Sequence, residues 1–250
     1  ATESIAYRTA GLVYTALEAL DAAERQSLDA KLATLTEFSA ECAIAKVYGS
    51  ESYNGLADDT LQIFGGNGFS EDYPAAQMYR DSRITRIYEG TSEICRLSIS
   101  KVVLRRLERG TLELPPAQPA PPAHAAPTDP ESGTELYGHV SSIRVIYRDL
   151  LSQLITRFGT TSLLGHDKQG YLGSLASIAI ELYAAESTVL RVMKLERSRP
   201  DADTGLARAL ARLVLDRAVV NVEREATDIL SGLHAGSALR DALDTVQLRL

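Results

Sequence analysis

The residues best suited to chemistry in this 250-residue chain form two short stretches, a glycine run and a lone glutamate. The run Gly65-Gly66-Asn67-Gly68 permits positive φ angles and lets a ligand approach the backbone, whose N–H groups could bind a phosphate or another polar group. Such a run is equally typical of the end of a helix. A helix rather than a strand is predicted before it, so it is not the dinucleotide-binding pattern G-x-G-x-x-G.

Glu89 is the second candidate, because it lies just before a glycine and a predicted helix start. Thr91 or Ser92 suits the N-cap position of that helix, and Glu93 suits its first turn, where the helix dipole favours an acidic side chain. Glu89 would then lie on a connection between two helices, from which its carboxylate can project into a cleft. The commoner alternative for a loop glutamate is a solvated surface charge.

The stretch from Gln62 to Arg96 resembles the C-terminal helical domain of the acyl-CoA dehydrogenase family. The matching motifs are QIFGGNGF, a spacer with YP at residues 73–74 and YRD at residues 79–81, and IYEGTSEICR. Three motifs in this order and at this spacing make the resemblance specific. The segment AIAKVYGSE, at residues 43–51, resembles the very-long-chain branch. The resemblance is strong over residues 1–110 and weaker over residues 135–250.

The resemblance implies flavin-dependent α,β-dehydrogenation of a fatty acyl-CoA thioester in β-oxidation, with a long acyl chain expected. Glu89 matches the family's catalytic base, which removes the α proton while the β carbon gives hydride to the flavin. A desolvated site would raise the pKa of this carboxyl toward the working pH. By family analogy, the Glu89 N–H and a flavin hydroxyl stabilise the charge on the thioester oxygen. Some branches place the base on another helix, and the presence of Glu89 argues against that variant.

The cofactor that the resemblance implies is FAD, bound mainly by a neighbouring subunit of a homodimer that shares its active sites. Gly90 matches a substrate contact of the family. The positions that match FAD contacts are Gln62, Ile63, Phe64, Gly65, Gly66, Thr91, Ser92 and Glu93. The implied partners are the acyl-CoA substrate and an electron-transferring flavoprotein. The implied compartment is the bacterial cytoplasm, or the mitochondrial matrix in a eukaryote.

The composition excludes several other classes of protein. A net charge of −7 argues against a general surface for nucleic acid, and no apolar run is long enough to span a membrane. The start of the sequence does not have the pattern of a signal peptide. Two cysteines suggest neither a disulfide framework nor a metal site, and the four scattered histidines have no ligand spacing. No metal is therefore predicted.

The predicted fold is all-α, with a catalytic C-terminal helical domain over residues 1–110 followed by a second, degenerate helical bundle over residues 132–250. Seven of the nine prolines lie between them, in a Pro/Ala-rich linker at residues 111–131. Gly49 and Gly55 are interpreted as sites of close helix approach. Apolar spacing predicts helices over residues 2–21, 28–64, 74–82, 91–109, 134–158, 170–198, 204–232 and 236–249.

A faint internal repeat supports the idea of a second bundle. The pattern Glu-Ser-x-x-x-Arg at residues 3–8 recurs at residues 186–191. The helical and β-domains that precede this point in the family are not represented, so we expect a fragment or one chain of a heteromer. This leaves a non-catalytic assembly module on the same fold as an alternative. A DNA-associated relative is disfavoured, because residues 131–250 hold 14 Lys and Arg against 15 Asp and Glu.

Overall fold

The computed structural model describes residues 1–112, 133–199 and 201–250, and over these ranges the chain is all-α, as predicted. The described residues divide into two compact units. The proximal unit comprises Thr2 and Thr9–Ile99, and the distal unit comprises Ala1, Glu3–Arg8 and Ser100–Leu250. The predicted linker, apart from its first two residues, lies outside the described residues.

Over residues 1–112 most of the predicted helix boundaries are confirmed. Pro74 is the first residue of its helix, where its missing N–H is not needed. Gly110, with φ 68°, follows the last helix of this stretch in the left-handed conformation that glycine tolerates. The helices are α1 (Thr2–Glu18), α2 (Leu28–Glu37), α3 (Ser39–Phe64), α4 (Gly66–Phe69), α5 (Pro74–Ile84) and α6 (Ser92–Glu108), with a 3-10 turn at Glu24–Gln26.

The single helix predicted over residues 28–64 is wrong, because the chain breaks at Phe38 into α2 and α3. Phe38 has φ −98° and ψ 15°, and its N–H donates to the Leu35 carbonyl at 3.1 Å. A bond to the third residue back, instead of the fourth, tightens the last turn and ends α2. Neither glycine nor proline marks this break, so the apolar pattern of the sequence continues through it.

The proximal unit is built on α3, which packs against α5. The buried face of α3 includes Ala40, Ile44, Val47 and Ala57. Among the described residues, no close helix approach is seen at Gly49 or Gly55 of α3. A Cβ at Gly55 would meet nothing within 4 Å, and a Cβ at Gly49 would meet only the Thr2 methyl group, at 4.0 Å.

The distal unit is built on three long helices that pack on one another, α7, α9 and α10. Buried residues recur along α7 at spacings of three and four, as the sequence predicts for a helix with one face in a core. None of the described helices is both long and apolar enough to cross a membrane. The elements are α7 (Gly133–Phe158), α8 (Thr160–Leu163), a 3-10 turn (His166–Lys168), α9 (Gln169–Ser198), α10 (Gly205–Leu233) and α11 (Gly236–Gln247).

The two segments that share the Glu-Ser-x-x-x-Arg pattern contact each other within the distal unit. Arg8 donates to the Glu186 carboxylate at 2.8 Å and to the Ser187 hydroxyl at 3.2 Å. Arg191 donates to the Glu3 carboxylate at 3.2 Å. Because each arginine reaches the glutamate of the other segment, α1 and α9 run antiparallel at this contact.

Asp149 is expected to make the stability of the distal unit dependent on pH. Partial burial alone would raise the pKa of its carboxyl, but hydrogen bonds from Arg249 and Arg148 outweigh burial and hold the pKa below the usual range. A lowered folded-state pKa contributes stability above the unfolded-state pKa of about 3.9, and that stability is lost as pH falls through the folded value. Asp149→Asn should therefore reduce the free energy of unfolding at pH 7 by about 1–3 kcal/mol, and by less near pH 3.

Urea unfolding of both proteins at the two pH values checks this expectation. Asp216→Asn is the matched control, because Asp216 pairs with Arg212 on the exposed surface of α10. An exposed pair of this kind contributes roughly 0–1 kcal/mol. A deficit for Asp149→Asn that is the same at pH 3 as at pH 7 would contradict the expected linkage.

Candidate functional site

The loop between α5 and α6 holds Glu89 in an unusual backbone conformation. Glu89 has φ 53°, and over the described ranges it is the one residue other than glycine with a positive φ. Gly90 follows with φ 93°, so two consecutive residues turn the chain toward α6. A non-glycine residue in the left-handed region costs roughly 1–2 kcal/mol, and such strain clusters at functional sites. The strain at Glu89 marks this loop as the candidate site.

Backbone hydrogen bonds hold the loop at both of its ends. Tyr88 N–H donates to the Ile84 carbonyl at 3.1 Å, which continues the turn that ends α5. Ser92 N–H donates to the Arg86 carbonyl at 3.1 Å, which closes the loop at the start of α6. Glu89 lies between these two bonds, and its side chain is exposed. The described residues therefore present the carboxylate without desolvating it.

Thr91, rather than Ser92, caps α6. The Thr91 hydroxyl accepts from Ile94 N–H at 3.3 Å, so it satisfies one of the free N–H groups of the first turn. Ser92 is only 1% exposed, and its hydroxyl has no hydrogen-bond partner among the described residues. Glu93 is exposed in the first turn, as predicted. Its own backbone N–H and then the Thr91 hydroxyl hold the pKa of the Glu93 carboxyl below the usual range.

Side chains of α3 support the loop, and sequence reasoning missed them. Lys46 Nζ donates to the Gly90 carbonyl at 2.6 Å. Asn54 accepts from the Arg86 guanidinium at 3.1 Å. Glu51 makes a two-fold contact with Arg96 of α6, at 2.7 Å for both oxygens. The sequence gives only a weak signal for this group, because Glu51 and Asn54 are three residues apart on a predicted helix but Lys46 and Glu51 are five apart.

The glycine run is a helix end followed by one further helical turn, so the helix-stop interpretation is confirmed. Gly65, with φ 60° and ψ −137°, ends α3, and its N–H donates to the Gln62 carbonyl at 3.1 Å. The next four residues form α4. Gly68 is buried there against the preceding helix, where a Cβ would lie 2.3 Å from the Leu61 carbonyl oxygen.

The surface around this turn is open and apolar. Ile63 is 84% exposed and Phe69 is 82% exposed, although both are large apolar side chains. A Cβ at Gly65 or Gly66 would meet nothing within 4 Å, so a ligand could lie directly on the backbone. The predicted residues Gln62, Ile63, Phe64, Gly65 and Gly66 are all exposed and form one continuous surface.

The two predicted groups of site residues lie at different places along α3. Glu89, Gly90, Thr91 and Glu93 come together on the loop that Lys46 contacts. The glycine turn begins after Gln62, and a helix rises 1.5 Å per residue, so about 24 Å along the helix axis separates the positions of Lys46 and Gln62. Within the part of the chain that the structure describes, these residues therefore form two separate surfaces.

Comparison with known proteins gives one consistent result for both parts of the chain. A family model described as "Acyl-CoA dehydrogenase, C-terminal domain" matches residues 4–104, and a second model with the same description matches residues 160–248. A probable acyl-CoA dehydrogenase of Bacillus subtilis is 30% identical to this chain over an alignment of 257 residues. The alignment covers 99% of this chain and 42% of that protein. The rat mitochondrial short-chain specific acyl-CoA dehydrogenase is 48% identical over 68 residues, 27% of this chain and 16% of the relative.

A solved structure is similar over the same extent. The acyl-CoA dehydrogenase of Bacillus anthracis, solved in complex with FAD, has 29% sequence identity and a TM-score of 0.89. The match covers 99% of this chain and 43% of that one. The chain thus spans less than half the length of these two Bacillus relatives.

Proposed function

Because this chain belongs to the acyl-CoA dehydrogenase family, we propose that the protein it forms is an FAD-dependent dehydrogenase of fatty acyl-CoA thioesters. Glu89 is the proposed base for the α proton. The observation that carries this role is the left-handed conformation of Glu89, in a loop bonded on both sides. A solvated surface glutamate does not require a strained backbone, whereas a catalytic base must be directed at one carbon atom.

The reaction breaks two C–H bonds and forms one C=C bond. The Glu89 carboxylate takes the proton from the α carbon, and the electron pair left behind becomes the new double bond as hydride leaves the β carbon. FAD, when bound, supplies the hydride acceptor. Glu89 is exposed in the described chain, so substrate and cofactor must cover it before its carboxyl is desolvated and becomes a stronger base.

The described residues fit a bound FAD on two surfaces. At the glycine turn, Gly65 and Gly66 expose their backbone, and the uncovered Ile63 offers apolar contact. At the loop, Gly90 is proposed to contact substrate, and Thr91, Ser92 and Glu93 are proposed to contact FAD. The Ser92 hydroxyl is buried and has no hydrogen-bond partner among the described residues.

The separation of the two surfaces supports a homodimer with shared active sites. They lie about 24 Å apart along α3, too far for both to contact the same end of one cofactor. We assign the loop to the FAD of its own active site and the glycine turn to the FAD of the partner's site. Each active site would then need both copies of the protein.

A long acyl chain is proposed because residues 43–51 resemble the very-long-chain branch of the family. The proposed reoxidant of the reduced flavin is an electron-transferring flavoprotein. The proposed compartment is the bacterial cytoplasm, because two relatives that match the chain along its length are proteins of Bacillus species.

A visible absorption spectrum of the purified protein, recorded without oxygen before and after addition of acyl-CoA, tests this function. We expect a flavin band that bleaches with palmitoyl-CoA and bleaches more slowly with butyryl-CoA. A flavin band that no acyl-CoA bleaches would overturn the proposed reaction. A preparation that neither contains nor takes up flavin would favour the non-catalytic assembly module.

A further inference from the structure

The peptide next to the proposed base receives a hydrogen bond from a distant lysine. Lys46 Nζ lies 2.6 Å from the Gly90 carbonyl oxygen, within the proximal unit. The Cys95 thiol also points to this oxygen, at the longer distance of 3.6 Å. A charged donor at 2.6 Å makes the stronger of the two contacts. Lys46 is therefore the principal side chain that holds the carbonyl of Gly90.

We propose that Lys46 is a positioning residue that fixes the conformation of Glu89 for proton abstraction. This inference rests on the proposed function. The backbone bonds of the loop join Tyr88 to Ile84 and Ser92 to Arg86, and they leave the two left-handed residues between them. Lys46 acts on this middle part, because Gly90 follows Glu89 directly. Loss of that bond would leave the left-handed conformation of Glu89 less stabilised, so the loop could relax to an unstrained conformation.

The helix that carries Lys46 is itself tied to both flanks of the loop. Glu51 contacts Arg96, which lies one turn into α6. Asn54 contacts Arg86, which lies just before the left-handed residues. Lys46 is half-buried beside Val47, which is fully buried in the core. Lys46 thus extends from a helix that is held in place, and its ammonium group holds the Gly90 carbonyl next to α3.

A direct contact between Lys46 and an anionic part of the substrate is the competing role. Such a contact would weaken substrate binding on loss of the charge, with little effect on the reduction rate at saturation. A positioning role predicts the reverse, because the substrate still binds while the base is misplaced. The two roles are therefore separated by the rate of flavin reduction at saturating substrate and the substrate dissociation constant.

The experiment compares Lys46→Met, Lys46→Arg and the control Lys31→Met in the FAD-loaded protein. Lys31 is exposed on α2, away from the loop in sequence. For Lys46→Met we expect the rate of flavin reduction by palmitoyl-CoA to fall about 30-fold, since small misplacements of reacting groups cost up to roughly 100-fold. The substrate dissociation constant should change less than about twofold, because uniform binding is kept. Lys46→Arg should recover most of the rate, and Lys31→Met should match the wild type.

Hydrogen exchange of the chain without flavin gives a second readout that does not depend on catalysis. In Lys46→Met, the amides of residues 86–92 should exchange about fivefold faster or more, because the loop opens more often. Unchanged exchange with an unchanged reduction rate would overturn the proposal, and so would a raised dissociation constant with a normal rate. Glu89→Gln, measured in parallel, shows separately whether the proposed function fails, because that variant tests the base and leaves the Lys46 contact in place.

Discussion

Glu89→Gln is expected to abolish the reduction of the flavin by acyl-CoA while FAD binding stays intact. The amide of glutamine has nearly the size and shape of the carboxylate but cannot accept the α proton. General-base catalysis contributes about 100- to 10,000-fold, so the rate of flavin reduction should fall by about 1,000-fold or more. Anaerobic stopped-flow absorbance of the flavin band measures the rate, and the ratio of flavin to protein absorbance measures the bound FAD.

Glu108→Gln is the matched control for this substitution. Glu108 is an exposed glutamate at the other end of α6, outside the proposed site, and its replacement makes the same change of charge. Its rate of flavin reduction should stay within about tenfold of the wild type, since it contributes no base. A wild-type rate for Glu89→Gln would show that another group takes the α proton.

Glu89→Gly adds a measurement of stability to the same argument. A left-handed glutamate costs roughly 1–2 kcal/mol, and glycine removes that cost but loses roughly 0.5–1 kcal/mol through its freer unfolded chain. The free energy of unfolding of Glu89→Gly should therefore be about 0.5–1 kcal/mol larger than that of Glu89→Gln. Neither variant carries the proposed base. Urea unfolding of the two variants gives the difference. If glycine is the less stable variant, the backbone at Glu89 is not strained.

Gly68→Ala is expected to destabilise the proximal unit strongly. The new Cβ would lie 2.3 Å from the Leu61 carbonyl oxygen and 2.9 Å from Phe64 Cβ. Both neighbours belong to α3, whose backbone cannot move without disturbing the core of the unit. Overpacking of this kind costs about 1–3 kcal/mol in general, and contact with a backbone carbonyl places this site at about 3 kcal/mol. The free energy of unfolding in urea measures the loss.

Gly55→Ala is the matched control, because Gly55 lies in the interior of α3 and a Cβ there meets nothing within 4 Å. Alanine is favoured over glycine in a helix interior by roughly 0.5–1 kcal/mol, so this variant should be more stable than the wild type. The two Gly→Ala changes should thus have opposite signs. A stable Gly68→Ala variant would mean that α4 can shift away from α3 at little cost.

Local signals in the sequence predict most helix ends over residues 1–112. Pro74 begins α5, Gly65 ends α3 and Gly110 follows α6, because each residue type favours or permits the backbone conformation that its position requires. The position of Glu89 on a loop before α6 is predicted for the same reason. A local preference of this kind acts through one or two residues, so it can be read without the rest of the fold.

The sequence by itself determined the helical class, the family motifs and the candidate base, whereas the tertiary structure alone decided how that base is held. The break at Phe38 has no glycine or proline to announce it, and the left-handed φ of Glu89 opposes the preference of its residue type. Lys46 and Gly90 lie far apart in the sequence, and their hydrogen bond forms only after α3 packs beside the loop. Contacts of this kind depend on where whole helices lie, because packing overrides a local preference when its favourable free energy exceeds the cost of the strain.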